Sequence, residues 1–296
     1  MKRLRCACAC VVVLVWALLA GPLASAAPVT VRDDAGHVLS LPAPAHRVVA
    51  LAPHLAELVF DAGAGERLVG VMRYSDFPQA VSRLPVVGDA FAVNLEVIAS
   101  LKPDLLLMWS SGVNPRQQQR LQTLGVTTFD SEIGSIEALG STLRRLGTLF
   151  GTEAIAEAAA QRAEGRWQAL KARYAQRRPV RVFYQLWHEP LMTVNRQHLI
   201  AQAIEACGGI NVFGQQPLLT PTISWEAAVA ADPQVVITGA GRDEPARLEA
   251  WQRFGRVEAV KRGLVIALDG EQLARMTPRF IDAAQSLCEA IDRARR

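Results

Sequence analysis

The chain is 296 residues long and carries 32 Lys and Arg against 28 Asp and Glu, a formal charge of +4. Three of those cations, Lys2, Arg3 and Arg5, lie in an N-terminal stretch without acids, so the rest of the chain holds 29 cations against 28 acids. That near-neutral balance, with no basic stripe interleaved with aromatics, excludes an electrostatic case for a nucleic-acid partner.

The first element is a leader. A basic start, the unbroken apolar run from Val11 to Ala20 and the small residues Ala24, Ser25 and Ala26 predict a secretory signal peptide over residues 1–26, cut after Ala26. The run is too short to span a bilayer as a mature helix. Cys6, Cys8 and Cys10 precede it, so they form no lipid-attachment motif. A soluble exported protein is expected. Two cysteines remain, Cys207 and Cys288, and an oxidising compartment predicts one disulfide between them. It would close a loop of about 80 residues and contribute on the order of 3–4 kcal/mol.

Strand and helix then alternate. Arg47 to Leu51 and Arg67 to Met72 are predicted strands flanking a helix over Leu55 to Ala62, which Gly63 ends. A helix over Asn94 to Leu101, stopped by Pro103, precedes a strand over Asp104 to Trp109. Pro115 to Leu124 (helix), Val126 to Asp130 (strand) and Ile136 to Phe150 (helix) follow. This alternation predicts an α/β fold with a largely parallel sheet. Thr152 to Gln176, rich in Ala, Glu, Arg and Gln, predicts one continuous helix about 37 Å long. Alternation resumes with a strand over Val180 to Leu186, helices over Leu199 to Ala206 and Trp225 to Ala231, strands over Val235 to Gly239 and Leu264 to Leu268, and a closing helix over Pro278 to Ala294.

The two halves repeat. Asn94 to Met108 and Ser224 to Thr238 each read helix cap, bulky apolar residue, Glu, short helix, Pro, strand. Glu96 pairs with Glu226 and Pro103 with Pro233 at one offset, and Arg47 and Arg181 begin the halves at a similar one. The implied architecture is two α/β lobes (27–150 and 179–296) with mostly parallel sheets, joined by one long backbone helix (151–178), and a ligand cleft between the lobes.

On these residues the chain resembles the periplasmic cobalamin-binding proteins of the helical-backbone (class III) substrate-binding group. The resemblance covers nearly all of the mature chain. It is carried by Tyr74 to Pro78, Asn94 to Glu96 with Leu101 to Leu105, Arg181 to Gln185, Glu205 to Gly209 with Asn211 to Phe213, and Thr277 to Arg279 with the Cys288 helix. It implies a monomeric periplasmic protein that captures cobalamin or another corrinoid and delivers it to the permease of an ABC importer. Cobalamin is then cargo, not a catalytic cofactor. Haem or a ferric siderophore is the alternative ligand within the same fold. No Gly-x-Ser-x-Gly elbow, His-Glu-x-x-His or phosphate-cradling glycine loop is present, so no enzymatic activity is expected.

The resemblance also assigns roles. Tyr74, in a loop after a strand, matches a family tyrosine that contacts the corrin. Trp187, at a strand's carboxyl end, offers a flat indole to a planar macrocycle. The family often has tryptophans near Ala90 and Thr220, which this chain lacks; Phe91 is the expected substitute, while Trp225 is expected to pack its helix. Asp269 and Arg275 match polar residues that meet the corrin's amide arms. Glu96 and Glu226 match carboxylates that dock on permease arginines, and both also sit where a helix dipole favours an acid. His54 and His188 could reach a metal axially, but a lone histidine is more often structural, and no metal ligand is expected from the protein.

Overall fold

Two parallel sheets with corresponding strand orders organise the molecule in this computed structural model, which describes residues 28–240 and 244–296. The expected leader lies outside the described residues. The N-lobe sheet is built from β3 (Val48–Ala50), β4 (Leu68–Met72), β5 (Val86–Gly88), β6 (Leu105–Trp109) and β7 (Thr127–Ser131), ordered β5-β4-β3-β6-β7. The C-lobe sheet contains β8 (Val180–Gln185), β9 (Gly209–Asn211), β10 (Val235–Gly239) and β11 (Val265–Leu268), ordered β9-β8-β10-β11. In each sheet the first strand lies inside, the next pairs on one side, and the chain then crosses to the other. That reversal opens a crevice at the carboxyl ends of the strands.

The strands bury both faces, so their side chains alternate between two cores. In the N-lobe, Val48, Ala50, Leu105 and Leu107 face α1 (Pro53–Asp61) and α4 (Ile136–Phe150). Val49, Leu106 and Met108 face the opposite layer with α2 (Leu95–Ser100) and α3 (Pro115–Gln122). In the C-lobe, Val182, Tyr184, Val235 and Ile237 pack on α6 (Leu199–Ala206) and α11 (Phe280–Arg293). Phe183 and Val236 face a core shared with α7 (Trp225–Ala230), α8 (Glu244–Gln252) and α9 (Glu258–Lys261).

The backbone helix α5 (Glu153–Tyr174) is 22 residues, about 33 Å, long. Its buried stripe of Ala156, Ala159, Ala160 and Ala163 packs on α4, and Trp167 then meets Phe280 of α11. Small residues permit the close approach: a Cβ on Gly147 of α4 would lie 2.5 Å from that of Ala156. Arg144 of α4 ties down Glu157 and Glu164 of α5, each at 2.7 Å. Thus one helix serves both lobes. Among the described residues no helix is long and apolar enough to cross a membrane.

The repeat extends to atomic detail. Arg47 donates from Nε to Lys102 O (3.2 Å) and from Nε and Nη2 to Leu101 O (2.9 and 2.6 Å), and Arg181 donates from Nε and Nη2 to Asp232 O (3.1 and 2.8 Å), the carbonyl equivalent to that of Lys102. Lys102 and Asp232, each followed by a proline, adopt left-handed φ values of 48° and 43°. The Asp104 carboxylate and the Gln234 amide oxygen accept the backbone N–H groups of Arg47 and Arg181.

Several elements escaped the sequence pattern. An antiparallel hairpin, β1 (Val29–Arg32) with β2 (Val38–Leu41), lies beside β7. Its strands are only four residues each, too short to establish a period. β9 lies within the stretch after Gly208, and α8, α9 and α10 (Gly270–Ala274) replace what reads as loop. Cys207, at the C-cap of α6, is bonded to Cys288 of α11 with Cα atoms 4.8 Å apart.

Candidate functional site: an aromatic interlobe cleft

Every strand of both sheets runs parallel to its neighbours, so the loops leaving their carboxyl ends gather along one edge of each lobe. Those edges meet. Arg275, just after α10 in the C-lobe, donates from Nη2 to Tyr74 O (3.2 Å) and pairs with Asp76 (2.9 Å) in the loop after β4. A cavity of about 140 Å³ at this junction is lined by Asp76, Phe77, Asp269, Gln272, Arg275 and Arg279.

Beneath the junction lies a buried ionic cluster that the sequence reading did not single out. Glu57 of α1, its side chain 2% exposed, receives Arg275 Nη1 (3.1 Å), Arg279 Nη1 (3.2 Å) and Thr277 Oγ1 (3.0 Å). Two cations and a hydroxyl satisfy a carboxylate that would otherwise be costly to bury. Arg279 also covers the Phe77 ring at 3.9 Å. One signal was available: Glu57 is an acid within the apolar stretch Leu55 to Val59.

The expected aromatic residues occupy the strand-end loops. Tyr74 follows β4 and is 77% exposed, with φ at 68°. Phe91 follows β5 and is 90% exposed. Its loop is fixed from behind: the Asp89 carboxylate accepts the N–H groups of Phe91 and Ala92 (3.0 and 3.1 Å), and Gln117 Nε2 donates to Phe91 O (2.9 Å). Those backbone N–H groups hold the Asp89 carboxyl below its ordinary pKa. Trp187 follows β8 and is 54% exposed, while its indole N–H is held by Glu189 O at 3.0 Å. Leu218 and Leu219, in the loop before α7, are exposed too, and Leu219 O accepts the N–H of Asn195. Anchored backbones with bare apolar faces suit a large, flat, partly apolar ligand.

The polar candidates have other commitments. Asp269 is exposed but caps α10, its Oδ1 accepting Gln272 N–H at 3.0 Å. The Arg275 guanidinium is spent on Glu57, Asp76, Tyr74 O and Glu271. Trp225 stacks on Phe254 and meets Trp251 edge-on, so it packs its helix.

The histidines differ in access. His54 is buried, edge-on to Trp109 at 5.4 Å. Burial, reinforced by Arg275, pushes its pKa down to about 3, so the ring is neutral. His188 Nδ1 lies 3.2 Å from Gln185 Nε2, and its ring meets Trp225. Glu96 and Glu226 are exposed in the first turns of α2 and α7, the helices preceding β6 and β10, which hold corresponding places in the two sheets. The Glu226 pKa is lowered by its own backbone N–H and by Ser224.

Two lobes, a rigid connecting helix and a strand-end cleft define a two-lobed solute-binding protein. The chain belongs to the periplasmic binding protein family, whose model matches residues 48–272. It is 34% identical over 252 residues to a vitamin B12-binding protein of Vibrio cholerae, covering 85% of this chain and 91% of that one. A Yersinia pestis protein of the same description is 33% identical over 253 residues, covering 85% and 89%. The crystal structure of the Vibrio cholerae periplasmic vitamin B12 binding protein BtuF superposes with a TM-score of 0.78 at 33% identity, covering 86% and 99% of the chains. The periplasmic heme-binding protein BhuT, in complex with two hemes, gives 0.75 at 27% identity, covering 84% and 98%.

Proposed function

We propose that this protein captures cobalamin or a related corrinoid between its lobes in the periplasm and delivers it to the permease of an ABC importer, without performing catalysis. The observation that carries the reading is the set of exposed aromatic faces, Tyr74 and Phe91 on one lobe and Trp187 on the other, at the carboxyl ends of the strands. The extent of identity to vitamin B12-binding relatives supports this ligand over haem. The corrin's flat faces would lie on these rings and its amide arms would reach Asp269. Arg275 would act mainly by holding the Tyr74 loop against the C-lobe.

The protein works as a monomer in this reading. Glu96 and Glu226, carried by corresponding helices, present one acid per lobe to a two-fold symmetric partner. The cobalt takes no protein ligand in this reading: His54 is buried edge-on to Trp109, and His188 is engaged by Gln185 and packed on Trp225.

Titration of the mature protein with cyanocobalamin, with haem in parallel, tests the reading by calorimetry and visible absorption. One-to-one cobalamin binding is expected. Haem binding without cobalamin binding would replace the ligand and make the exposed Tyr74 hydroxyl the first candidate for an iron ligand.

A further inference from the structure

Away from the cleft, the β1–β2 hairpin and strand β7 bring together Asp33, His37 and Asp130. His37 Nδ1 lies 3.3 Å from Asp33 Oδ2 and 3.7 Å from Asp130 Oδ2. One ligand atom from each of the three residues falls within a span of 4.8 Å. Zinc held by nitrogen and carboxylate oxygen at about 2.0–2.1 Å places tetrahedral ligands about 3.3 Å apart. The two nitrogen–oxygen separations are close to that edge, and the full 4.8 Å span would contract on binding.

The burial of the acids distinguishes this cluster from surface charge. The Asp33 side chain is fully buried. One oxygen of Asp33 accepts the His37 backbone N–H at 2.7 Å, which closes the hairpin turn, and the other, which also accepts the Asp130 backbone N–H at 3.4 Å, is turned toward the histidine ring. Asp130 is only 8% exposed, and its Oδ1 and the Ser110 hydroxyl, both cut off from solvent, interact with each other but form no hydrogen bond of ordinary geometry. Buried carboxylate oxygens normally have well-placed partners, so an under-satisfied one asks for a further ligand. Asp130, His37 and Ser110 line a cavity of about 560 Å³ through which an ion could enter. The His37 side chain is 71% exposed and stands at the outer edge.

We propose that Asp33, His37 and Asp130 form a site for a divalent transition-metal ion of the zinc class, which staples the N-terminal hairpin to β7. One nitrogen and two carboxylate oxygens suit Zn²⁺ better than Mg²⁺ or Ca²⁺, which prefer all-oxygen shells. The fourth position is left to water or the Ser110 hydroxyl. The ion would be structural, and the site is independent of the identity of the cleft ligand.

The test is calorimetric titration of the chelator-treated mature protein with Zn²⁺, with Mg²⁺ and Ca²⁺ as controls and Co²⁺ absorption as a geometric reading. Expected are one equivalent of Zn²⁺ bound, a tetrahedral Co²⁺ band, and a rise in melting temperature with Zn²⁺. His37→Ala and Asp130→Asn should each weaken Zn²⁺ binding at least about tenfold, while cobalamin affinity stays unchanged. Because His37 is exposed and its backbone bond survives truncation, His37→Ala carries the test if Asp130→Asn fails to fold. Absence of binding, or one equivalent bound equally well by His37→Ala, would overturn the proposal.

Discussion

Arg275 of the C-lobe reaches Glu57 of the N-lobe at 3.1 Å, and the carboxylate it meets is almost wholly out of water. With Arg279 and Thr277 on the same acid, this contact joins the lobes at the base of the cleft. The long helix α5 connects the lobes along one side, and the ionic cluster adds a second connection in a different part of the fold. Both favour a cleft held open at a fixed width over a hinged one.

Removing the acid should therefore be costly. Glu57→Gln takes the buried carboxylate from Arg279 and leaves Arg275 only the exposed Asp76 and Glu271, and a buried pair broken on one side typically costs about 3–5 kcal/mol. Urea denaturation should show that loss. A Glu57→Gln, Arg275→Met double variant should recover part of it, because the stranded charge goes too; additive losses would mean the pair is not coupled.

His54 and His198 should make stability sensitive to acid. Burial lowers their pKa values from 6.5 to about 3 and about 4. Below pH 6.5 the unfolded chain takes up protons that the folded protein refuses, so each histidine removes about 1.4 kcal/mol per pH unit until its folded pKa is reached. Asp61 opposes them: burial raises its pKa from 3.8 to about 6, so over that interval acid favours the fold. Asp130, raised chiefly by burial, acts in the same direction as Asp61. His54→Gln isolates one contribution. Its plot of stability against pH between 4 and 6 should be shallower than the parent's by about 1.4 kcal/mol per unit.

The tryptophans should separate by location. Trp187→Ala, and likewise Tyr74→Ala, should weaken cobalamin binding about tenfold, or ~1.4 kcal/mol, with little change in melting temperature. Trp251 is fully buried among Phe183, Trp225 and Phe254, with its indole N–H on Gln185 Oε1 at 2.8 Å. Trp251→Ala should cost about 3–5 kcal/mol of stability. Paired calorimetry and thermal melts read both effects.

Charge reversal at Glu96 and Glu226 together should abolish transport into cells while leaving cobalamin affinity intact, since both acids are exposed in helix first turns and carry none of the aromatic faces. Lost affinity in the purified double variant would remove the docking assignment.

The disulfide should contribute to stability alone. It joins the C-cap of α6 to α11 across 81 residues of chain. Cys207→Ser with Cys288→Ser should lower unfolding free energy by about 2–5 kcal/mol, read by denaturation, with cobalamin affinity preserved.

The sequence by itself determined the alternating elements, the repeat and the connecting helix, because periodicity, proline stops and glycine ends are local signals. The arginines at 47 and 181 were legible as repeat markers, but their shared bond to the carbonyl before a proline was not. Tertiary structure alone decided what the polar residues do. Arg275 and Asp269 sit in a strand-end loop, yet the first is drawn into the Glu57 cluster and the second caps α10. Glu57 and Arg275 are 218 residues apart, as Asp33 and Asp130 are 97 apart. No local pattern encodes such meetings; they follow from which strands pair and which helix faces are buried, and burial then makes the charges find partners.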